Sequence, residues 1–396
     1  MASIPRLRQY DGPAILSYGF RPFFLFGAIY SGAAVLVWLP VFFGEIVLPT
    51  AVAPRDWHFH EMLYGYLSAV MTGFLLTAIP NWTGRLLIQG APLFVLLAVW
   101  FAGRVAISVS GLIGWLPAAI VDASFLICVA GATAREIIAG RNWRNVKVVA
   151  IVALLALANI AFHAEAHFFG SADYSIRLGI AAVVTLLMLI GGRIIPSFTR
   201  NWLARENPGR LPVPFGRFDV VAIAVATLAL LVWISLPDRG VTAAALALGA
   251  VLQVARLFRW AGDRTLREPL VTVLHVGFAF VPLGFALLAL AAVGMIPATA
   301  GIHAWTAGAF GIMTLAVMTR ATLGHTGHEL TASFPTQLIY AAAVLAALFR
   351  IWAALQPGWS EFLLHIAAFA WAAAFLGMGL VYGPILCRRR KVERPG

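Results

Sequence analysis

The sequence predicts an all-α polytopic membrane protein of about twelve transmembrane helices, and three observations carry that reading. Apolar residues make up 61% of the 396 and charged residues only 11%, with a mean hydropathy of +0.90. A soluble domain carries about 25% charged residues, so the composition excludes that class. The apolar residues also fall in runs of about 20, the length that crosses a hydrocarbon core. Finally, Lys and Arg gather in alternate connections, as in chains threaded through a bilayer.

Taken in order, hydropathy and breakers place spans near 16–42, 58–80, 91–109, 113–138, 147–169 and 174–196, then 218–236, 240–260, 269–293, 299–319, 335–355 and 360–385. Pro40, Pro80, Pro196, Pro237 and Pro297 stand at or near the ends, where a missing amide hydrogen is least disruptive. No connection is long enough to hold a separate domain, so residues 1–396 read as one transmembrane unit. The polar opening Met1–Asp11, with no small-residue cleavage site, predicts no cleavable leader. Cys128 and Cys387 cannot build a disulfide framework, and no Cys-x-x-Cys-His is present to attach a c-type haem.

The net charge of +12 is distributed for a membrane rather than for nucleic acid. With the N-terminus in the cytoplasm, Arg6, Arg8, Arg85, Arg135, Arg141, Arg144 and Lys147 fall inside, as do the later loop arginines and the tail Arg388–Lys391 with Arg394. Only Arg55, Arg177 and Arg239 fall outside. The loops are short enough for the positive-inside rule to apply, so both termini are expected in the cytoplasm.

A weak threefold repeat is visible. Thr83, Thr199 and Thr319 close spans two, six and ten, about four spans apart, which suggests units at 16–138, 147–260 and 269–385. At the other end of the same helices, His60 and Gly65 echo His303 and Gly308.

Ionisable residues at membrane depth are functional candidates by default. His58 and His60 open span two from the outside, His163 and His167 close span five there, His303 opens span ten, and His365 lies two turns into span twelve. Taken alone, His365 reads as a solvated helix-end residue. His58, His60, His163, His167 and His303 together read as metal or haem ligands, because imidazole suits copper, zinc and iron. His163 and His167, at i and i+4, share a helix face. His58 and His60, at i and i+2, share one site only if the helix start unwinds; otherwise they serve different centres. Glu61 and Glu165 are placed to orient imidazoles or to transfer protons. Towards the inner side, His275, His325 and His328 are candidates for a second haem or metal.

Arg21, Arg85, Arg193, Arg200 and Arg320 gather at the inner ends near Asn81 and Asn201, where guanidinium forks suit a propionate or another small anion. For any one of them, snorkelling to headgroups is the simpler reading. Arg104, Arg350 and Asp122 lie mid-segment, which is compatible with an Asp122–arginine pair whose arginine the spacing does not choose.

Several long motifs resemble the NnrS family. They are Trp57-His58-Phe59-His60-Glu61-Met62, Gly73 to Gly84, Gly191 to Asn201, and Met318 to Gly327. The resemblance runs over essentially the whole chain. It implies a twelve-span bacterial inner-membrane protein with haem, b-type, and copper, associated with nitric oxide metabolism, nitrosative stress resistance and denitrification. It assigns no ligand residue by residue and leaves open whether nitric oxide is turned over, sensed or rendered harmless.

The function expected is therefore a haem- and copper-containing protein that binds and turns over nitric oxide, an oxidoreductase of the nitric oxide reductase type. Its partners are nitric oxide, the lipid bilayer and an unidentified electron donor, with no nucleic acid; the oligomeric state is not legible. The alternatives are a secondary transporter and a non-enzymatic protective metal or nitric oxide protein. A terminal oxidase core is set aside, because the adjacent His-His pair and the His-x-x-x-Tyr helix of that class are missing.

Overall fold

The computed structural model describes residues 10–390 and is helical, with no strand among them. Twelve helices in it are long and apolar enough to cross a membrane. These are α1 (Phe20–Phe42), α2 (Pro54–Thr83), α3 (Ala91–Ser108), α4 (Trp115–Ala139), α5 (Trp143–Phe169) and α6 (Asp173–Glu206), then α7 (Arg217–Ser235), α8 (Gly240–Arg264), α9 (Pro269–Ala292), α10 (Ala298–Thr326), α11 (Phe334–Leu355) and α12 (Pro357–Cys387). Large apolar side chains such as Phe94, Val105, Ile120, Val251 and Leu380 are exposed on them, the reverse of a water-facing surface and the arrangement lipid requires. Arg6, Arg8, Lys391 and Arg394 of the orientation argument lie outside the described residues.

Two helices outrun their predicted ends. The spans expected to stop at 196 and 319 continue as helix to Glu206 and Thr326. Pro196, expected at a helix end, lies inside the helix: it removes one hydrogen bond and the helix-capable residues after it resume the ladder. His325 consequently sits in the last turn of a helix rather than in a loop, while His328 follows it.

The chain divides into two compact units. One comprises the described residues up to Gly179, with Ala321–Glu329 and the stretch from Phe375 onward; the other comprises Ile180–Arg320 and Leu330–Ala374. In the first, α1 packs on α2, α3 on α4 and α4 on α5. Small residues set these approaches. A Cβ on Gly73 would lie 2.9 Å from the Phe24 ring, and one on Gly103 would lie 3.0 Å from Asp122 Oδ1 and 3.2 Å from Asp122 Cα. In the second unit, α7, α8 and α9 pack in sequence, and α9 and α11 flank α10. A buried Arg256–Asp219 pair at 3.1 Å joins α7 to α8 there.

The most buried spans are α2 in the first unit and α10, which lies mostly in the second. Both contain a π-helical stretch, Glu61–Leu67 and Ala304–Gly311, each starting directly after a histidine, His60 and His303. The His-to-Gly echo seen in the sequence thus coincides with a shared backbone irregularity, of a kind frequent at functional sites.

Candidate metal centre

The centre forms in the first unit, where the start of α2, the end of α3, the start of α4 and the end of α5 come to the same end of the bundle. Ala53 is extended, Pro54 occupies the first helical turn with its preset φ, and Asp56 follows in that turn. Six residues beyond Pro54 the helix widens. At the end of the π stretch the Gly65 carbonyl accepts from the Ser68 amide, and the same oxygen accepts from Trp100 Nε1 on α3 at 2.9 Å and from Ser68 Oγ at 3.1 Å. Having no side chain, Gly65 lets the Arg104 guanidinium lie against α2; a Cβ there would stand 2.6 Å from Arg104 Nη1.

Around this opening lies a closed polar network. Asp122 Oδ2 is 3.0 Å from His60 Nε2 and 3.0 Å from His163 Nε2, and it accepts from Asn159 Nδ2 at 2.8 Å. Asn159 Oδ1 is 3.1 Å from His60 Nε2. On its other edge, His60 Nδ1 meets Glu61 Oε1 at 2.8 Å. Arg104 Nη1 donates to both Glu61 oxygens at 2.8 Å, while its Nη2 pairs with Asp122 Oδ1. The Tyr30 hydroxyl donates to Glu61 Oε2, and its ring packs edge-on against Trp100. His60, Glu61, Asp122 and Asn159 are each at most 1% exposed, so every charge here must be balanced internally.

That balance tests whether a cation fits. Two carboxylates against one guanidinium leave a formal −1 when both imidazoles are neutral. His60 lies between two carboxylates, Glu61 at Nδ1 and Asp122 at Nε2. Both are acceptors, so both ring nitrogens need a hydrogen, or a cation replaces the one at Nε2. The carboxylate–His–metal arrangement has this form, with the outer carboxylate fixing the tautomer. His60, Asp122 and His163 each offer one ligand atom, all within 4.8 Å of one another. Bonds of about 2.0–2.2 Å place ligand atoms about 3.0–3.5 Å apart, close to the spacings present. Two imidazoles and a carboxylate suit a late first-row cation such as copper. Among the contacts of the remaining histidines are stacking on Trp38 and Trp115, tilted ring packing beside Tyr18 and Phe20, and hydrogen bonds to Thr199, Thr299, Thr326 and Glu361.

Of the residues singled out in the sequence, His60, His163 and Glu61 converge here. His58 turns away and stacks on Trp38 at 4.2 Å, so the two histidines of the pair serve different places. His167 stacks on Trp115 at 4.3 Å, one turn beyond His163. Glu165 accepts from the Tyr174 and Ser175 amides at 2.8 and 2.7 Å, capping the start of α6. His303 belongs to the second unit, with Nδ1 bonded to the Thr299 carbonyl at 2.8 Å. His275 meets Thr199 Oγ1 at 2.8 Å, His325 packs beside Tyr18 and Phe20, and His328 meets Thr326.

The arginines scatter. Arg21 Nη1 binds the carbonyls of Leu386 and Arg388 at 2.6 Å, tying the start of α1 to the end of α12. Arg85 pairs with Glu136, Arg320 lies over the Phe198 ring at 4.3 Å, Arg193 is half-buried and Arg200 exposed. The structure also identifies Arg104 as the Asp122 partner. Asn159 and Tyr30 went unnoticed in the sequence, although Asn159 precedes His163 by four residues and so shares its helix face.

A profile described as NnrS protein matches residues 14–390. No curated protein matches the chain.

Proposed function

The chain belongs to the NnrS family, and we propose that it is a bacterial inner-membrane metalloprotein which binds nitric oxide at a copper ion held by His60, Asp122 and His163 and reduces it when electrons are supplied. The observation that carries this reading is His60 clamped between Glu61 and Asp122 with His163 on the same carboxylate oxygen. In this reading both termini are cytoplasmic, as the Lys and Arg distribution requires, and the centre lies in the outer half of the membrane.

Copper bound there supplies a Lewis-acidic centre able to exchange one electron. The chain's own residues do the rest. His60 and His163 present Nε2, and Asn159 holds Asp122 by its Oδ2. Glu61 keeps the hydrogen of His60 on Nδ1, so Nε2 points inward. Arg104 joins the two carboxylates and prevents their mutual repulsion from opening the site. Glu61, which accepts from His60, Arg104 and the Tyr30 hydroxyl, is held as the carboxylate that fixes the His60 tautomer; Glu165 is occupied at the α6 cap. Haem belongs to this reading through the family alone, and no step depends on it.

A secondary transporter would leave the converged imidazoles without a role. The test is anaerobic addition of nitric oxide to the purified, cupric protein, following the copper electron spin resonance, and then addition of a chemical reductant, following the nitric oxide concentration against a protein-free control. The reading predicts a perturbed copper signal and nitric oxide loss, both absent in Asp122→Asn. An unperturbed signal with no consumption contradicts it.

A further inference from the structure

The centre is sealed, and this raises the question of how a hydrated cation reaches it. A metal site needs a path for its ion as well as ligands, and an ion does not cross the apolar faces of these helices. A cleft at the end of the bundle where the centre lies is lined by Ala51, Val52, Ile107, Ser110, Trp115, His163 and His167. Its floor is His163, the one centre ligand that lines it. One rim is residues 49–51, pinned to the short turn after α3: Ser110 Oγ accepts from the Ala51 amide at 2.8 Å, and the Gly111 amide donates to the Pro49 carbonyl at 2.9 Å. The other rim is the His167–Trp115 stack, with ring planes 16° apart. His167 is exposed, while His163 one turn deeper is 5% exposed.

We infer that this cleft is the uptake route for the cation and that His167 is a transient outer ligand, passing the ion inward to His163. The inference rests on the copper reading above. Two imidazoles at i and i+4 lie on one helix face, so a cation at the outer one is a single turn from the inner one. Ser110 is the hydroxyl on the way, and Trp115 holds the His167 ring in place against the mouth. The ligand class is a borderline-soft, late first-row cation, which imidazole selects over calcium or magnesium. His167 is thus separated in role from His163 despite their shared spacing. It acts on the rate of filling, and the buried set acts on retention.

The experiment mixes cupric sulfate with the chelator-stripped, full-length protein in detergent and follows tryptophan fluorescence in time, with bound copper measured at the end point. Because Trp115 is stacked on His167, arrival of copper quenches it first. It is one of 13 tryptophans, so the expectation is a small fast phase followed by a slower one as the centre fills. In His167→Ala the fast phase is lost and filling slows about tenfold or more, the scale of local concentration in a cleft, with final copper unchanged. In Trp115→Phe the fast phase is silent but filling keeps its rate. In Asp122→Asn the fast phase persists and the slow one disappears. Filling of His167→Ala at the wild-type rate overturns the inference, and so does loss of its end-point copper, which would make His167 a permanent ligand. A wild-type chain that takes up no copper overturns the copper reading instead.

Discussion

Replacing Arg104 by methionine is the sharpest perturbation of the buried network. Arg104 is the one guanidinium touching both carboxylates, with two contacts of 2.8 Å to Glu61 and a pairing with Asp122. Methionine keeps much of the volume and removes the charge, taking the formal charge of the metal-free site, with His60 protonated on both ring nitrogens, from 0 to −1. Both carboxylates are at most 1% exposed, so water cannot screen the remainder. Breaking a buried pair by removing one partner costs about 3–5 kcal/mol, or roughly two to four decades in the folding equilibrium at about 1.4 kcal/mol per decade. Adding Glu61→Gln to the same chain restores formal neutrality and should recover about 1–3 kcal/mol, a coupling typical of groups in one network. The assay is denaturant unfolding of the metal-free protein in mixed micelles, followed by near-ultraviolet circular dichroism, for the wild type, both single variants and the double. Arg104→Met within about 1 kcal/mol of wild type, or a Glu61→Gln change that deepens the loss in the double variant, would refute the charge argument.

Three further outcomes are expected. Gly65→Ala places a Cβ 2.6 Å from Arg104 Nη1, which the two carboxylates hold in place, and should cost about 1–3 kcal/mol in the same unfolding assay; Gly131→Ala, with nothing within 4 Å, should be neutral or stabilising. Glu165→Ala removes the acceptor for the Tyr174 and Ser175 amides and should cost about 0.5–2 kcal/mol, with copper content unchanged by metal analysis. Copper at about a hundred times its Kd should stabilise the wild type by about 2.7 kcal/mol, shown by a raised unfolding midpoint, and should leave Asp122→Asn unmoved.

Much of this architecture is legible in the chain because a bilayer imposes a single length on every element. Twelve apolar runs and their connections follow from that constraint; one misplaced end falls where Pro196 interrupts a helix without ending it, and the other where the polar stretch after Thr319 continues as helix to Thr326. Polar residues at membrane depth are expensive, which singles out His60 and His163 among the histidines, and the fold brings these two to one Asp122 oxygen. The same criterion also collected His58, whose ring lies on Trp38, and His303, which belongs to the second unit, because depth carries no azimuth. The π stretch after His60 turns that residue towards Asp122, and no propensity rule announces it. Asp122 and Arg104 stood out individually, but their pairing depends on how α3 meets α4 at Gly103, a tertiary fact. Tyr30 and Asn159 look like ordinary span residues until Glu61 and Asp122 are placed beside them. The inner arginines satisfied composition rules for anion binding, yet Arg21 closes a helix end and Arg85 an ion pair, uses that sequence spacing does not distinguish.

The central claim is that His60, Asp122 and His163 hold one copper ion, and copper stoichiometry tests it most directly. The measurement is copper per chain, with the electron spin resonance spectrum, after loading and gel filtration. It compares wild type, His60→Ala, Asp122→Asn and His163→Ala with His58→Ala, whose ring lies on Trp38. The account predicts one nitrogen-ligated copper in the wild type and in His58→Ala, and its loss in the other three. Full copper with an unchanged spectrum in His60→Ala and His163→Ala would contradict it.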